Sequence, residues 1–249
     1  MPLAVVVVFG LVLGSFLNVV IARLPERRSL WAPRSACPGC GALIAWYDNV
    51  PLVSFVVLRG RCRACATPIP WRYPLVEATT AALLALAWAE FGPGLEFVVA
   101  AALLAALIAV TAIDLRHQII PDAITLPGIL AGVTANVATR HLGWAEVALG
   151  IALGGGVFFA IIVVSRGGMG AGDMKLGAML GAFLGWKIAL FALMVGVVLG
   201  GAWAVALMAL GVRGRKDAIP FGPFLAIGGA TALFWGEGVV QWYVTGLRM

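Results

Sequence analysis

The chain has 249 residues, of which 62% are hydrophobic and only 11% charged, against a charged share of about 25% in soluble domains. A soluble globular domain is excluded, and one polytopic helical bundle with a short polar insert fits the length better than several domains. The net charge of +6 comes from basic residues beside apolar runs, where they set topology and meet lipid headgroups; with no basic face interleaved with aromatics, nucleic acid is not an expected partner.

Residues 3 to 22 form one apolar run of membrane-spanning length. No basic region precedes it and Arg23, Arg27, Arg28 and Arg34 follow it. That polarity is the reverse of a cleaved signal peptide, so an uncleaved first helix with its amino terminus outside is expected. Gly14-Ser15 within it suits close helix packing.

The segment 23–74 is the one long polar stretch. It carries Cys37-Pro38-Gly39-Cys40 and, after 21 intervening residues, Cys62-Arg63-Ala64-Cys65. Each C-x-x-C places two thiolates on one turn, and two such turns can close a tetrahedral Cys₄ site. Two disulfides or a redox pair are the competing readings. A cytoplasmic position, where thiols stay reduced, favours a structural zinc. No His or carboxylate is spaced to leave an open coordination position.

From Pro74 onward the chain runs in helix-length apolar blocks near 75–91, 95–113, 123–139, 146–165, 174–186, 188–210 and 221–243. With the first helix this predicts about eight spans, the block at 174–186 being short for a full crossing. The expected organisation is all-α: a first transmembrane helix at 1–22, a cytoplasmic zinc-ribbon-like four-cysteine insert at 23–74, and a transmembrane bundle at 75–249. Alternating the loops leaves only Arg140, Lys187 and Arg248 of the 17 Lys and Arg on the outer side. The positive-inside rule supports that orientation.

The same alternation puts Asp114 and Asp173 on the cytoplasmic side, each where an apolar run meets polar sequence. An aspartate at such a place is expensive and marks a functional site by default. Two close carboxylates resist ionising together and share a proton, which suits them to activate water and protonate a leaving amine. Helix ends assign the roles: Asp173 begins a helix and starts as base, whereas Asp114 ends one and holds the proton. Gly170 and Gly172 flank Asp173, where they permit positive φ and a close approach of substrate backbone. Lys175 orients Asp173 or anchors at headgroups, and Asp122 caps the helix after Pro121 or supports the site. Glu77 is an interfacial acid or part of substrate recognition. His117 and His141 form no ligand set, and Gly154-Gly155-Gly156 suits helix packing better than nucleotide binding.

The ordered set Gly14-Ser15-Phe16-Leu17-Asn18, the paired C-x-x-C segment, Tyr73-Pro74-Leu75-Val76-Glu77, Asp114 to Asp122, Gly170-x-Gly172-Asp173-x-Lys175 and Pro220-Phe221-Gly222-Pro223 resembles the bacterial type IV prepilin peptidases. The resemblance implies a membrane aspartic endopeptidase of the inner membrane that removes the basic leader of prepilins and pseudopilins on the cytoplasmic side. Carried over, the catalytic residues are Asp114 and Asp173. The four cysteines further imply N-methylation of the new amino terminus with S-adenosylmethionine as donor. A transporter or proton channel using buried acids, and a non-enzymatic pilus or secretion assembly protein, are the competing expectations.

Overall fold

The computed structural model describes residues 2–139, 142–165, 169–212, 214 and 219–246. Arg140, His141 and Arg248 lie outside these residues. Among the described residues the regular structure is helical: α1 (Leu3–Arg23), α2 (Val53–Val57), α3 (Arg72–Phe91), α4 (Leu95–His117), α5 (Asp122–Thr139), α6 (Trp144–Val164), α7 (Ala171–Ala209) and α8 (Gly222–Gly246). Six of them, α1, α3, α4, α6, α7 and α8, are long and apolar enough to cross a membrane. The chain divides into two compact units, Met1–Phe97 and Val98–Met249.

In the first unit α1 packs on α3 through the small residues of its middle. A Cβ on Gly10 would meet the Ala81 Cα at 2.6 Å, and one on Gly14 would meet the Glu77 Cα at 2.6 Å. That is the close packing expected for Gly14-Ser15, and it admits no side chain. The buried Asn18 amide donates to the Tyr73 carbonyl at 3.1 Å. Glu77, also buried, accepts the Leu52 N–H at 2.9 Å and so ties the polar segment to α3.

In the second unit α7 is the central helix, packing on α5, α6 and α8. Its core is built from Leu103, Leu107 and Val110 of α4, Leu176, Met179 and Leu180 of α7, and Leu225 of α8. The contact of α6 with α7 is reciprocal glycine on glycine. A Cβ at Gly154 would meet the Gly177 carbonyl and one at Gly150 the Gly181 carbonyl, and the converse holds for both pairs. Backbone packing, the reading preferred for the Gly154-Gly155-Gly156 run, is therefore realised at Gly154, while Gly156 faces open space.

With 39 residues, α7 is two helices joined at a kink, since about 20 residues suffice for one crossing. It is broken once, at Gly185 (φ 71°, ψ 171°). The blocks read from sequence as 174–186 and 188–210 are these two helices, and Gly185 lies in the turn expected between them. The break deprives the preceding carbonyls of their partners four residues on, and a side chain from α5 takes over. The buried Asn136 amide donates to the Ala182 carbonyl at 2.8 Å and to its own Gly132 carbonyl at 3.0 Å. Irregular backbone inside a membrane protein needs such a replacement.

Candidate active site and metal centre

Asp114 sits in the last turn of α4, Asp122 begins α5, Asp173 is the third residue of α7, and Gly222 begins α8. Four helix ends thus meet at one end of the second unit, and they bring the two aspartates together. Both are buried, Asp114 at 5% and Asp173 at 8% exposure, and the charge of Asp114 reaches Asp173.

Each aspartate is held through one oxygen by backbone. Asp173 Oδ2 accepts the N–H of Gly170, the residue preceding α7, at 3.2 Å. This is half of a capping box, with the acidic third residue reaching back over the helix start. Asp114 Oδ2 accepts the N–H of Gly222 at 2.8 Å. That contact was not foreseen from sequence, and it changes the electrostatics. The carboxyl end of α4 disfavours a negative charge on Asp114, but the amino end of α8 is aimed at the same carboxyl. Both aspartates therefore face a helix amino terminus, and the asymmetry expected from helix ends loses its basis. Gly222 directly before Pro223, after Pro220-Phe221, is the sequence signal that could have marked a helix start there.

The glycines of the Asp173 motif do not use the positive φ expected of them: Gly170 is extended (φ −79°) and Gly172 is inside α7. Gly172 is required by contact, because a Cβ there would meet the Ile120 Cβ at 2.8 Å. The loop after α4 thus lies directly on the first turn of α7. Lys175 does not reach Asp173. Its Nζ bridges Asp122 Oδ1 at 2.6 Å and Oδ2 at 2.7 Å. Residues two apart point to different faces of a helix, so Lys175 turns away from Asp173 and joins the start of α7 to the start of α5.

In the first unit the two C-x-x-C turns repeat one backbone design. The Cys37 N–H donates to the Ala42 carbonyl and the Gly41 N–H to the Cys37 carbonyl. In the second turn the Cys62 N–H donates to the Thr67 carbonyl and the Ala66 N–H to the Cys62 carbonyl, all at 2.8–2.9 Å. The residue after each second cysteine has positive φ, 73° at Gly41 and 58° at Ala66. Arg63 grips the Asp48 carboxylate with two nitrogens, at 2.6 and 2.9 Å, and joins the second turn to Trp46–Asn49. That guanidinium holds the Asp48 carboxyl below the usual carboxylate range.

The sulfurs of Cys37, Cys40, Cys62 and Cys65 lie within 4.8 Å of one another, with Cys37 and Cys65 3.7 Å apart. A tetrahedron of sulfurs about 2.3 Å from a central ion has edges near 3.8 Å, so the four can hold a metal ion. The chemistry of the donors agrees with the geometry. The Thr67 hydroxyl beside Cys65 pulls its thiol down to about 6. At Cys40 the Ala42 backbone also pulls downward, but the adjacent Cys65 sulfur and burial outweigh it and push the thiol up to about 11. Sulfurs this close compete for negative charge unless they share a cation.

Known proteins agree with these features. Residues 8–91 match the family model of the bacterial peptidase A24 N-terminal domain, and residues 101–205 match that of the type IV leader peptidase family. A protein of Burkholderia pseudomallei (strain 1026b) is 40% identical, with 95% of this chain and 86% of its own length aligned. One of Aeromonas hydrophila is 37% identical over 97% and 93% of the two chains, and one of Legionella pneumophila 35% identical over 96% and 93%. All three are prepilin leader peptidase/N-methyltransferases. No solved structure matches this chain.

Proposed function

This chain belongs to the type IV leader peptidase family, and from that premise we propose that it is a membrane aspartic peptidase that removes the leader of prepilins and pseudopilins and methylates the new amino terminus. The observation that carries this reading is the meeting of Asp114 and Asp173, both buried and each with one oxygen held by a backbone N–H.

The pair shares one proton, because two adjacent carboxylates do not both ionise readily. The ionised member takes a proton from water as the water attacks the scissile carbonyl. The protonated member delivers its proton to the leaving amine as the tetrahedral intermediate collapses. The backbone bonds from Gly170 and Gly222 fix the orientation of the carboxyls and leave the second oxygen of each for water and substrate. Gly170, Gly172, Lys175 and Asp122 support the loop around Asp173. A prepilin docks with its apolar helix in the bilayer, which brings the junction with its polar leader to the aspartates at the membrane boundary.

Cys37, Cys40, Cys62 and Cys65 hold a structural zinc, which fixes the fold of the polar segment. S-adenosylmethionine is the methyl donor that this reading implies. The protein resides in the inner membrane with its amino terminus outside and the aspartates and cysteines on the cytoplasmic side, as the distribution of Lys and Arg supports. A proton channel would need a relay through the spans, yet the buried charged residues among those described are Glu77, Asp114 and Asp173 alone.

The test is a cleavage assay on purified protein with a prepilin-like substrate, followed by mass spectrometry of the product's amino terminus. Asp114→Asn and Asp173→Asn each lower cleavage by roughly 10²–10⁴-fold or more while the protein still accumulates, and the unaltered chain yields a methylated terminus. Cleavage that survives either substitution overturns the aspartyl mechanism.

A further inference from the structure

The stretch directly after α1 is a built loop that presents a nearly bare indole. Arg23, the last residue of α1, donates from Nη1 to the Ser29 carbonyl at 2.9 Å and from Nη2 to the Pro33 carbonyl at 2.6 Å, which closes residues 29–33 into a bracket. Inside it the Ser29 hydroxyl oxygen accepts the N–H groups of Trp31 and Ala32, each at 3.3 Å. Trp31, held at the tip, is 86% exposed. A bracket of this kind with its largest apolar side chain outward contributes little to a core, and large exposed apolar groups mark a surface for a partner.

The position of the indole indicates which partner. Its ring lies 6.4 Å from that of Phe16. Phe16 ends a stripe on α1 formed by Val5, Val8, Phe9, Val12 and Phe16, all exposed and spaced by about one helical turn. On an apolar helix of spanning length such a stripe meets lipid. Phe16 lies seven residues before Arg23, or about 10 Å along the helix axis. The bracket therefore turns back along α1 and brings Trp31 level with its lipid-facing side. Arg27, Arg28 and Arg34 flank the bracket and are exposed, against one neighbouring acid, Glu26, which pairs with Arg28 at 3.2 Å.

We propose that residues 29–33 are a membrane-interface anchor, with Trp31 inserted at the boundary of headgroups and acyl chains beside Phe16 and with Arg27, Arg28 and Arg34 on anionic headgroups. Indole is amphipathic and gathers at that depth, and each basic residue near an anionic surface adds attraction. The anchor fixes the start of the four-cysteine segment at the membrane surface. It is independent of the peptidase reading.

The experiment uses the full-length protein labelled with fluorotryptophan in nanodiscs of phosphatidylcholine, with and without phosphatidylglycerol. Of the nine tryptophan fluorine resonances, the one missing from both Trp31→Phe and Trp31→Tyr is Trp31. The expected result is loss of that resonance by broadening when a lipid spin-labelled near the top of its acyl chain is added, and none with a water-soluble nickel chelate. Replacing Arg27, Arg28 and Arg34 with Gln abolishes any increase in this broadening caused by phosphatidylglycerol. Broadening by the chelate and not by the lipid overturns the proposal. So does an indole open to the chelate in nanodiscs that becomes shielded only when an apolar helical peptide is added, an outcome that assigns the surface to a protein partner.

Discussion

The backbone N–H of Gly222 donates to Asp114 Oδ2 across 108 residues of sequence, at 2.8 Å. This one bond sets the amino end of α8 against a carboxyl that would otherwise face only the unfavourable end of its own helix.

Replacement of Gly222 therefore acts on the site directly. A Cβ at this position would lie 2.8 Å from Asp114 Oδ2 and 3.2 Å from its Cγ, so Gly222→Ala pushes the carboxyl out of place. Displacement of a catalytic group by about 1 Å costs on the order of 10²-fold in rate. Cleavage assays on Gly222→Ala show that loss, while metal content, which depends on the first unit, is unchanged. Wild-type rates in this variant would refute a role for the contact.

The ion pair of Lys175 with Asp122 is partly exposed, with side-chain exposures of 28% and 56%, and contributes less than about 1 kcal/mol to stability. Its value is positional, since it fixes the start of α7, and so Asp173, against α5. Lys175→Glu and Asp122→Lys each lower cleavage with little change in melting temperature, and the charge-swapped double variant recovers part of the activity. A double variant no better than the singles would show that the pairing itself is not what matters.

The sulfurs of the four cysteines can hold one metal ion, so elemental analysis of the purified protein is expected to find one zinc per chain. Cys37 is the buried member of the set. Cys37→Ser removes a thiolate from a closed site and lowers zinc content to near zero, and limited proteolysis then cuts within 23–74. Full zinc content in Cys37→Ser and in Cys65→Ser would remove the metal site.

Gly185 holds φ at 71° and ψ at 171°, a region essentially reserved for glycine where an L side chain costs about 1–3 kcal/mol, and a Cβ there would also meet the Leu142 Cδ1 at 2.9 Å. Gly185→Ala lowers the thermal midpoint in detergent. Asn136→Leu does so as well, because it strips the carbonyl of Ala182 of its donor. An unaltered midpoint in both would mean that the break in α7 is not specified by these residues.

Much of the molecule is legible without coordinates. Hydropathy and span length are properties of short windows, so the membrane class, the helical blocks and the two C-x-x-C turns could be read locally. The pair Asp114 and Asp173 stood out because a charge beside apolar runs is costly wherever the chain goes. Even the turn at Gly185, which separates two helices, was visible. What had to wait for the fold was every contact between distant segments. For Lys175 the sequence leaves open a contact with Asp173 or an anchor at headgroups, and the fold pairs it with Asp122. The glycines of the motif were given a freedom of φ that they do not use, and Gly172 instead makes room for Ile120. Sequence by itself determined which residues are too polar or too small for their surroundings. Only the tertiary structure decided what each of them meets, because hydrogen bonds and close contacts form between surfaces that helix packing, and not chain order, brings together.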